Sequence, residues 1–159
     1  MFLLPPTRRR ALTTLAAGVV LTAVSLPAFG SLGSDANSVE ADRVHMNAAI
    51  TVSQARDYAL HEIQSPEGTV VDEYVSPAGK VFAVTWHGQF PPQMAQILGA
   101  YFPQYAAALQ AQPHRYGHPP LNIQLPGLVV QTAGHMRAHF GRAYVPDLLP
   151  EGITADQIR

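Results

Sequence analysis

The chain has 159 residues, with ten basic side chains, eleven acidic side chains and no cysteine. The absence of cysteine excludes a disulfide framework, a thiolate nucleophile, and thiolate sites for zinc, iron–sulfur clusters or c-type haem. The near balance of charge gives no electrostatic surface for nucleic acid.

The first thirty residues have the three parts of a secretory signal peptide. Three arginines at positions 8–10 precede an uncharged apolar run at 11–26, and Ala28 and Gly30 place small residues where a signal peptidase reads them. The run is shorter than the roughly 20 residues that a membrane span requires. We therefore predict cleavage after Gly30 and a periplasmic or secreted protein without a stable membrane anchor. The arginines leave the twin-arginine export route open as an alternative to general secretion.

The remaining residues, 31–159, are predicted to form a single α+β domain. Loss of the three arginines leaves seven basic residues against eleven acidic ones, and no polybasic segment remains to hold an anionic membrane. The first β-rich part has three runs at 58–64, 69–75 and 80–88, separated by the turn sequences SPEG and SPAG. Proline presets φ for a turn and glycine accepts a positive φ, so this order predicts a three-stranded antiparallel meander.

The third of these runs is predicted to take a central place in the sheet, with its bulkier face against the core. Its side chains alternate with the period of two that a strand imposes. The two predicted faces are Phe82, Val84 and Trp86 on the bulkier side, and Val81, Ala83 and Thr85 on the other.

Large apolar side chains recur at steps of three and four over residues 94–109, which predicts an amphipathic helix of about five turns. Pro91 and Pro92 precede it, as they do at many helix starts. Pro103 lacks the N–H that would bond the carbonyl of Gly99, so we expect a kink there. The aromatic stripe on this helix is interpreted as core packing rather than as a ligand site.

Residues 114–127 are interpreted as a loop, because they contain three prolines and two glycines. A strand at 128–132, a turn at Ala133 and Gly134, and a returning strand at 135–145 are predicted to follow. The predicted fold is therefore α+β, with one antiparallel sheet packed on one long helix. The sheet is expected to consist of the meander and this two-stranded hairpin.

Two pairs of histidines have a four-residue spacing, His135 with His139 and His114 with His118. On a strand, residues four apart lie about 13 Å from each other, whereas a metal ion needs its ligand nitrogens about 2 Å away. We therefore interpret the first pair as histidines on a sheet surface. The second pair could bend around an ion, but no glutamate occupies the H-E-x-x-H positions, and a solvated loop is favoured. No metal site and no cofactor are predicted.

Other catalytic constellations are absent from the sequence. It has no G-x-S-x-G elbow, no S-x-x-K pair and no glycine-rich phosphate loop. Glu62, Asp72 and Glu73 could approach one another across paired strands, and charged side chains on a solvated sheet face are the ordinary interpretation. We predict no catalytic residue and favour a small non-catalytic binding or accessory domain in the cell envelope. The alternative is a metal-binding or hydrolytic enzyme that uses the loop histidines.

The predicted loop at 114–127 carries the side chains best suited to bind a partner. Its prolines would limit the ordering cost of binding, and loops held by a rigid scaffold are where binding residues concentrate. We predict that His114, Arg115, Tyr116 and His118 contact the partner, which is either an envelope protein or a small ligand.

Four strings in the chain resemble a known family. They are YVSPAGKVFAVTWHG at 74–88, LGAYFPQY at 98–105, GHMRAHFGRAYVP at 134–146 and LLPEGI at 148–153. They are similar to the exported bacterial proteins grouped as domain of unknown function 2844. The likeness covers nearly all of the chain after the predicted signal. It implies one exported domain and carries no activity, substrate or site with it.

Overall fold

The computed structural model of the protein describes residues 32–113 and 119–159. No helix among these residues is long and apolar enough to cross a membrane. In chain order the elements are α1 (Asn37–His45), β1 (Ala49–Gln54), β2 (Ala59–Gln64), β3 (Val70–Val75), β4 (Val81–Gly88), α2 (Met94–Leu98), α3 (Phe102–Gln110), β5 (Leu121–Leu125), β6 (Leu128–His135) and β7 (Ala138–Tyr144). Short 3-10 turns lie at Gly99–Tyr101, Pro146–Leu148 and Ala155–Gln157.

The seven strands form one antiparallel sheet in the order β1-β2-β3-β4-β7-β6-β5. The predicted meander is β2, β3 and β4, and the predicted hairpin is β6 and β7. The prediction of an α+β fold with a single antiparallel sheet is confirmed, and β4 lies at its centre. The expected count of five strands is wrong, because β1 and β5 add one edge strand on each side. The predicted loop at 114–127 therefore contains a strand.

The two faces of the sheet are covered differently. On one face, which we call the helix face, α1, α2 and α3 contribute Val39, Ile97, Leu98 and Tyr105 to a core with the sheet residues Ile63, Val71, Val84, Trp86 and Val130. The opposite face, which we call the tail face, is partly covered by residues 146–159, the C-terminal segment. There the buried cluster consists of Tyr74, Phe82, Ala83 and Ile158.

A β-bulge in β4 corrects the predicted faces of this strand. Tyr74 pairs with Ala83 and Val75 pairs with Val81, so Phe82 is an extra residue between the two pairs. An extra residue reverses the alternation beyond it. Val84 and Trp86 therefore face the helices as predicted, whereas Phe82 packs on the tail face. Side chains on both faces are buried, because the centre of the sheet is covered on both sides.

The predicted long helix is broken at Gly99, close to the expected kink. A 3-10 turn at Gly99–Tyr101 separates α2 from α3, and Gly99 has φ 48° and ψ −119°. Pro103 lies in the first turn of α3, where its missing N–H leaves no helical bond unmade. The helix begins at Met94, after the two prolines at 91 and 92.

The hairpin of β6 and β7 turns three residues later than predicted. Its last pair is His135 with Ala138, so Met136 and Arg137 form the turn. Arg137, the second residue of the turn, has φ 64°, in the left-handed region, whereas Met136 does not have a positive φ. His139 pairs with Gly134, which puts it on the helix face, and His135 is one residue further along β6. Because neighbouring residues of a strand point to opposite faces, His135 and His139 do not share a face.

Candidate functional site

A cleft of about 630 Å³ lies on the helix face. We call it the helix-side cleft. It lies between α2–α3 and the strands β5, β6 and β7. The described residues that line it include Trp86, Met94, Tyr105, Leu109, Leu121, Thr132 and His139, together with Pro91, Pro113, Pro119 and Pro120. No lysine, arginine, aspartate or glutamate is among the lining residues that the structure describes. The cleft therefore has the size of a small-molecule site, and its lining combines apolar and polar groups in similar shares.

Trp86 is at the inner end of this cleft. Its side chain is 3% exposed, and Gly141 lies directly opposite it in the neighbouring strand. Tyr105 of α3 is also buried, and burial raises the pKa of its hydroxyl. The Tyr105 hydroxyl therefore remains protonated at neutral pH and can act as a hydrogen-bond donor.

The four predicted contact residues, at 114–116 and 118, lie outside the described residues. The segment that contains them is bounded by Pro113 and Pro119, and both of these line the helix-side cleft. The predicted hairpin histidines do not form a pair, because they occupy opposite faces of the sheet. Within residues 32–113 and 119–159 there is no group of three or more metal-ligating side chains.

A row of polar residues in register crosses the whole tail face. From edge to edge it reads Thr51, Glu62, Asp72, Thr85, Arg142, Gln131 and Asn122. We call it the polar row. Several neighbours along it are bonded: Thr85 Oγ1 lies 3.3 Å from Asp72 Oδ2, and Arg142 Nε lies 2.7 Å from Gln131 Oε1. Burial, followed by the charge of Glu62, raises the pKa of Asp72.

The polar row also holds the C-terminal segment. Arg142 Nη1 donates to the carbonyl of Ala155 at 2.6 Å and to that of Ile158 at 3.1 Å. Tyr74, from the adjacent row, donates its hydroxyl to the backbone oxygen of Arg159 at 2.7 Å. A second cleft of about 610 Å³ remains beside this segment. Since the guanidinium of Arg142 is occupied by these carbonyls, the row acts mainly as a support for the segment.

A buried pair of carboxyl groups lies on the helix face, where sequence reasoning did not expect one. Glu62 and Asp72 are paired across two strands, as predicted. Glu73 instead points to the other face and lies in the core with Asp42 of α1. The alternation of the strand could have predicted the burial of Glu73, because residues 71, 73 and 75 lie on the same face and Val71 and Val75 are apolar. No pattern in the sequence indicated that α1 would bring a second acid to it.

The fold and the cleft define an α+β protein in which three helices cover one face of a seven-stranded antiparallel sheet. The model of the family described as "Protein of unknown function (DUF2844)" matches residues 28–158. The match spans most of the chain, so the chain belongs to this family, and the resemblance inferred from its motifs is confirmed. No curated protein and no solved structure matches the chain.

Proposed function

We propose that the protein is an exported, non-catalytic binding domain of the bacterial cell envelope and that the helix-side cleft holds its ligand. The observation that carries the proposal is the cleft itself. Its volume of about 630 Å³ suits a small molecule, and buried aromatic residues line it.

The lining favours a ligand that is uncharged and has both apolar and polar parts. A charged ligand would lose its hydration in the cleft without an opposite charge among the described lining residues to replace it. Tyr105, Thr132 and His139 supply a few hydrogen-bonding groups, which would orient the ligand. Leu109 extends the apolar lining to the protein surface, since its side chain is 45% exposed.

The placement of the acidic side chains favours binding over catalysis. Asp42 and Glu73 are closed off in the core, and neither lines the cleft. Asp72 and Glu62 are on the tail face, away from Tyr105 and His139. The alternative, a metal-dependent or hydrolytic enzyme that uses His114 and His118, depends on residues outside the described part of the chain.

The location in the envelope depends on the first thirty residues. The arginines at 8–10, the apolar run at 11–26 and the small residues Ala28 and Gly30 support export and removal of this segment. The domain would then act in the periplasm or outside the cell, where the ligand would reach the cleft either free or presented by an envelope protein.

Binding can be tested with the uncharged fluorophore N-phenyl-1-naphthylamine. We expect saturable binding, with energy transfer from Trp86, which is the only tryptophan. Leu109→Glu should weaken the binding at least about tenfold, because it places a charge at the cleft. The matched control is Val44→Glu on α1, which is 62% exposed and does not line the cleft. Absence of saturable binding, or equal weakening by both variants, would refute the assignment of the cleft.

A further inference from the structure

We propose that Asp42 and Glu73 form a proton-operated latch. When the two carboxyl groups share one proton, the latch holds α1 against the sheet, and when both ionise it releases α1. The proposal is independent of the ligand cleft, since neither residue lines it.

The two carboxyl groups join three elements inside the core. Glu73 of β3 is 0% exposed, and Asp42 of α1 is 1% exposed. Gln96 of α2 donates its side-chain amide to Asp42 Oδ1 at 2.7 Å. These three side chains, Asp42, Gln96 and Glu73, therefore connect α1, α2 and the sheet.

In the fully ionised pair, several buried oxygens would have no donor. Three buried carboxyl oxygens have no hydrogen-bond donor: both oxygens of Glu73 and Oδ2 of Asp42. The hydroxyl of Ser38, one turn earlier in α1, also has no partner. A single proton on Glu73 changes this arrangement, because a protonated carboxyl donates a hydrogen bond to the carboxylate beside it. Two ionised carboxylates at this position would instead repel each other in a medium that screens them poorly.

The environments of the two acids assign the proton to Glu73. Burial, followed by the contact with Asp42, raises the pKa of Glu73 well above its ordinary range. Burial also raises the pKa of Asp42, but the hydrogen bonds from Glu73 and Gln96 act in the opposite direction. Gln96 donates to Asp42 Oδ1, whereas neither oxygen of Glu73 has a donor, so the charge lies on Asp42 and the proton on Glu73.

Helix α1 is the element best placed to respond. It has nine residues, of which Ser38, Val39 and Asp42 are buried. Because its attachment to the sheet is this small, opening it locally costs less than unfolding the whole sheet. An open α1 would let water reach both carboxylates and remove the unfavourable burial of two charges.

Two histidines lie near the pair. His45, one turn after Asp42 on α1, carries a charge that lowers the pKa of Asp42. His61 of β2 is paired with Glu73 in register, and burial lowers its own pKa. Val84 of β4, the other neighbour of Glu73 in register, is uncharged. The lowered pKa of His61 makes the folded state less stable in acid, whereas the raised pKa of Glu73 makes it less stable in base. The effect of Glu73 on α1 must therefore be measured as a difference between the wild type and a Glu73 variant.

The sign of the effect follows from the raised pKa of Glu73. The closed state retains the proton at a pH where the open state has lost it. The latch is therefore complete below the ordinary glutamate pKa of about 4.5, and it weakens as the pH rises toward the pKa of the closed state. For a single proton, the ratio of closed to open molecules falls about tenfold per pH unit in this window.

Hydrogen exchange of the full-length chain tests the latch between pH 5 and pH 9. After correction for the intrinsic exchange rate, the protection of α1 amides should be lower than that of β4 amides at every pH. The ratio of wild-type α1 protection to that of Glu73→Gln should fall with pH, by up to about tenfold per unit. Glu73→Gln retains a donor to Asp42 and has no proton to lose. Glu62→Gln, which removes an exposed carboxyl on the tail face, is the matched control and should behave as the wild type does.

Several outcomes would overturn the proposal. A constant ratio between the wild type and Glu73→Gln would show that Glu73 does not operate the latch. Exchange of α1 together with β4 would show that α1 is not released separately. If Glu73→Gln does not fold, Asp42→Asn is the second variant. It removes the neighbouring charge but leaves Glu73 buried, so the fall of α1 protection with pH should end at a lower pH than in the wild type, and an unchanged pH profile would overturn the proposal. A stoichiometric divalent cation in the purified protein, lost in both variants, would show that the pair binds a metal rather than a proton.

Discussion

Gly141 of β7 lies directly beneath the indole of Trp86 in β4. A Cβ atom at this glycine would overlap with Cζ2 of the indole, and it would lie 2.7 Å from Cε2 and 2.6 Å from the carbonyl oxygen of Gln131. The indole can therefore lie against the strand only because residue 141 has no side chain. This contact positions the tryptophan at the inner end of the helix-side cleft.

Replacing Gly141 with alanine should destabilise the protein and displace Trp86. We expect a loss of about 1–3 kcal/mol, as is usual when a well-packed site is overfilled, together with a shift of the tryptophan emission. Urea denaturation followed by fluorescence measures both. Gly152→Ala is the matched control, because a Cβ there would meet nothing within 4 Å. Its φ of 86° predicts a backbone cost of about 1–2 kcal/mol with unchanged emission.

Trp86 should fluoresce as a buried residue, with an emission maximum at shorter wavelength than that of free tryptophan in water. Trp86→Ala should lower the free energy of unfolding by about 3–5 kcal/mol, which is a large share of the typical 5–15 kcal/mol. Chemical denaturation followed by circular dichroism gives this value. A loss below about 1 kcal/mol would contradict the position of Trp86 in the core.

Arg142→Met should loosen the C-terminal segment. The change retains the apolar stem and removes the guanidinium that bonds the carbonyls of Ala155 and Ile158. Hydrogen bonds made by charged groups contribute about 1.5–3 kcal/mol each, so the loss of these two bonds should cost about 3–6 kcal/mol in total. Carboxypeptidase should also remove the last residues sooner. The exposed Arg56, changed in the same way, should have neither effect, and equal effects of the two variants would refute the role of Arg142.

His61 should destabilise the protein in mild acid. Burial lowers its pKa in the folded state below the ordinary value of 6.5. The stability that neutral His61 contributes is therefore complete above about pH 6.5, and it is lost as the pH falls from there through the lowered pKa of the folded state. Comparing urea midpoints of the wild type and His61→Gln at pH 5 and pH 7.5 should show the smaller acid loss in the variant. His87→Gln, at the exposed end of β4, should keep the wild-type dependence.

The exported protein should begin at Ser31. Mass spectrometry of material purified from the periplasm or medium measures the mature mass directly. A chain that retains Met1 and sediments with the inner membrane would mean that the first thirty residues act as an anchor. The cleft and the latch would remain testable in that case, since both lie in the described residues.

The strands with the clearest local patterns were predictable. The runs that form β2, β3 and β4 are separated by two Pro-x-Gly turns, and each turn joins two strands that pair. The run Leu121–Leu125 also alternates apolar and polar residues, but the prolines around it favoured a loop. A strand with proline on both sides is compatible with a sheet edge, where one side of the backbone needs no partner.

The faces of β4 and the acid pair were not predictable from the sequence, for different reasons. The extra residue Phe82 arises from the pairing of two whole strands, and no local pattern marks a bulge. The contact of Asp42 with Glu73 joins residues that are distant along the chain, and it depends on how α1 docks. The hairpin turns at Met136 and Arg137, where Arg137 adopts a positive φ, rather than at the glycine that predicted the turn.

The central place of β4 also determines when the sheet can be completed. Its partner on one side is β3, which immediately precedes it, whereas its partner on the other side is β7, whose residues 138–144 come more than fifty positions later. In a chain that emerges from its N-terminus, β4 is therefore an unpaired edge until β7, the last strand, arrives. An edge strand with exposed apolar residues, here Val84 and Trp86, and unpaired backbone N–H and C=O groups can pair with another chain and so promote aggregation. During folding, the strand that becomes the centre of the sheet is therefore for a time an exposed edge strand, and the chain is most prone to aggregate at that stage.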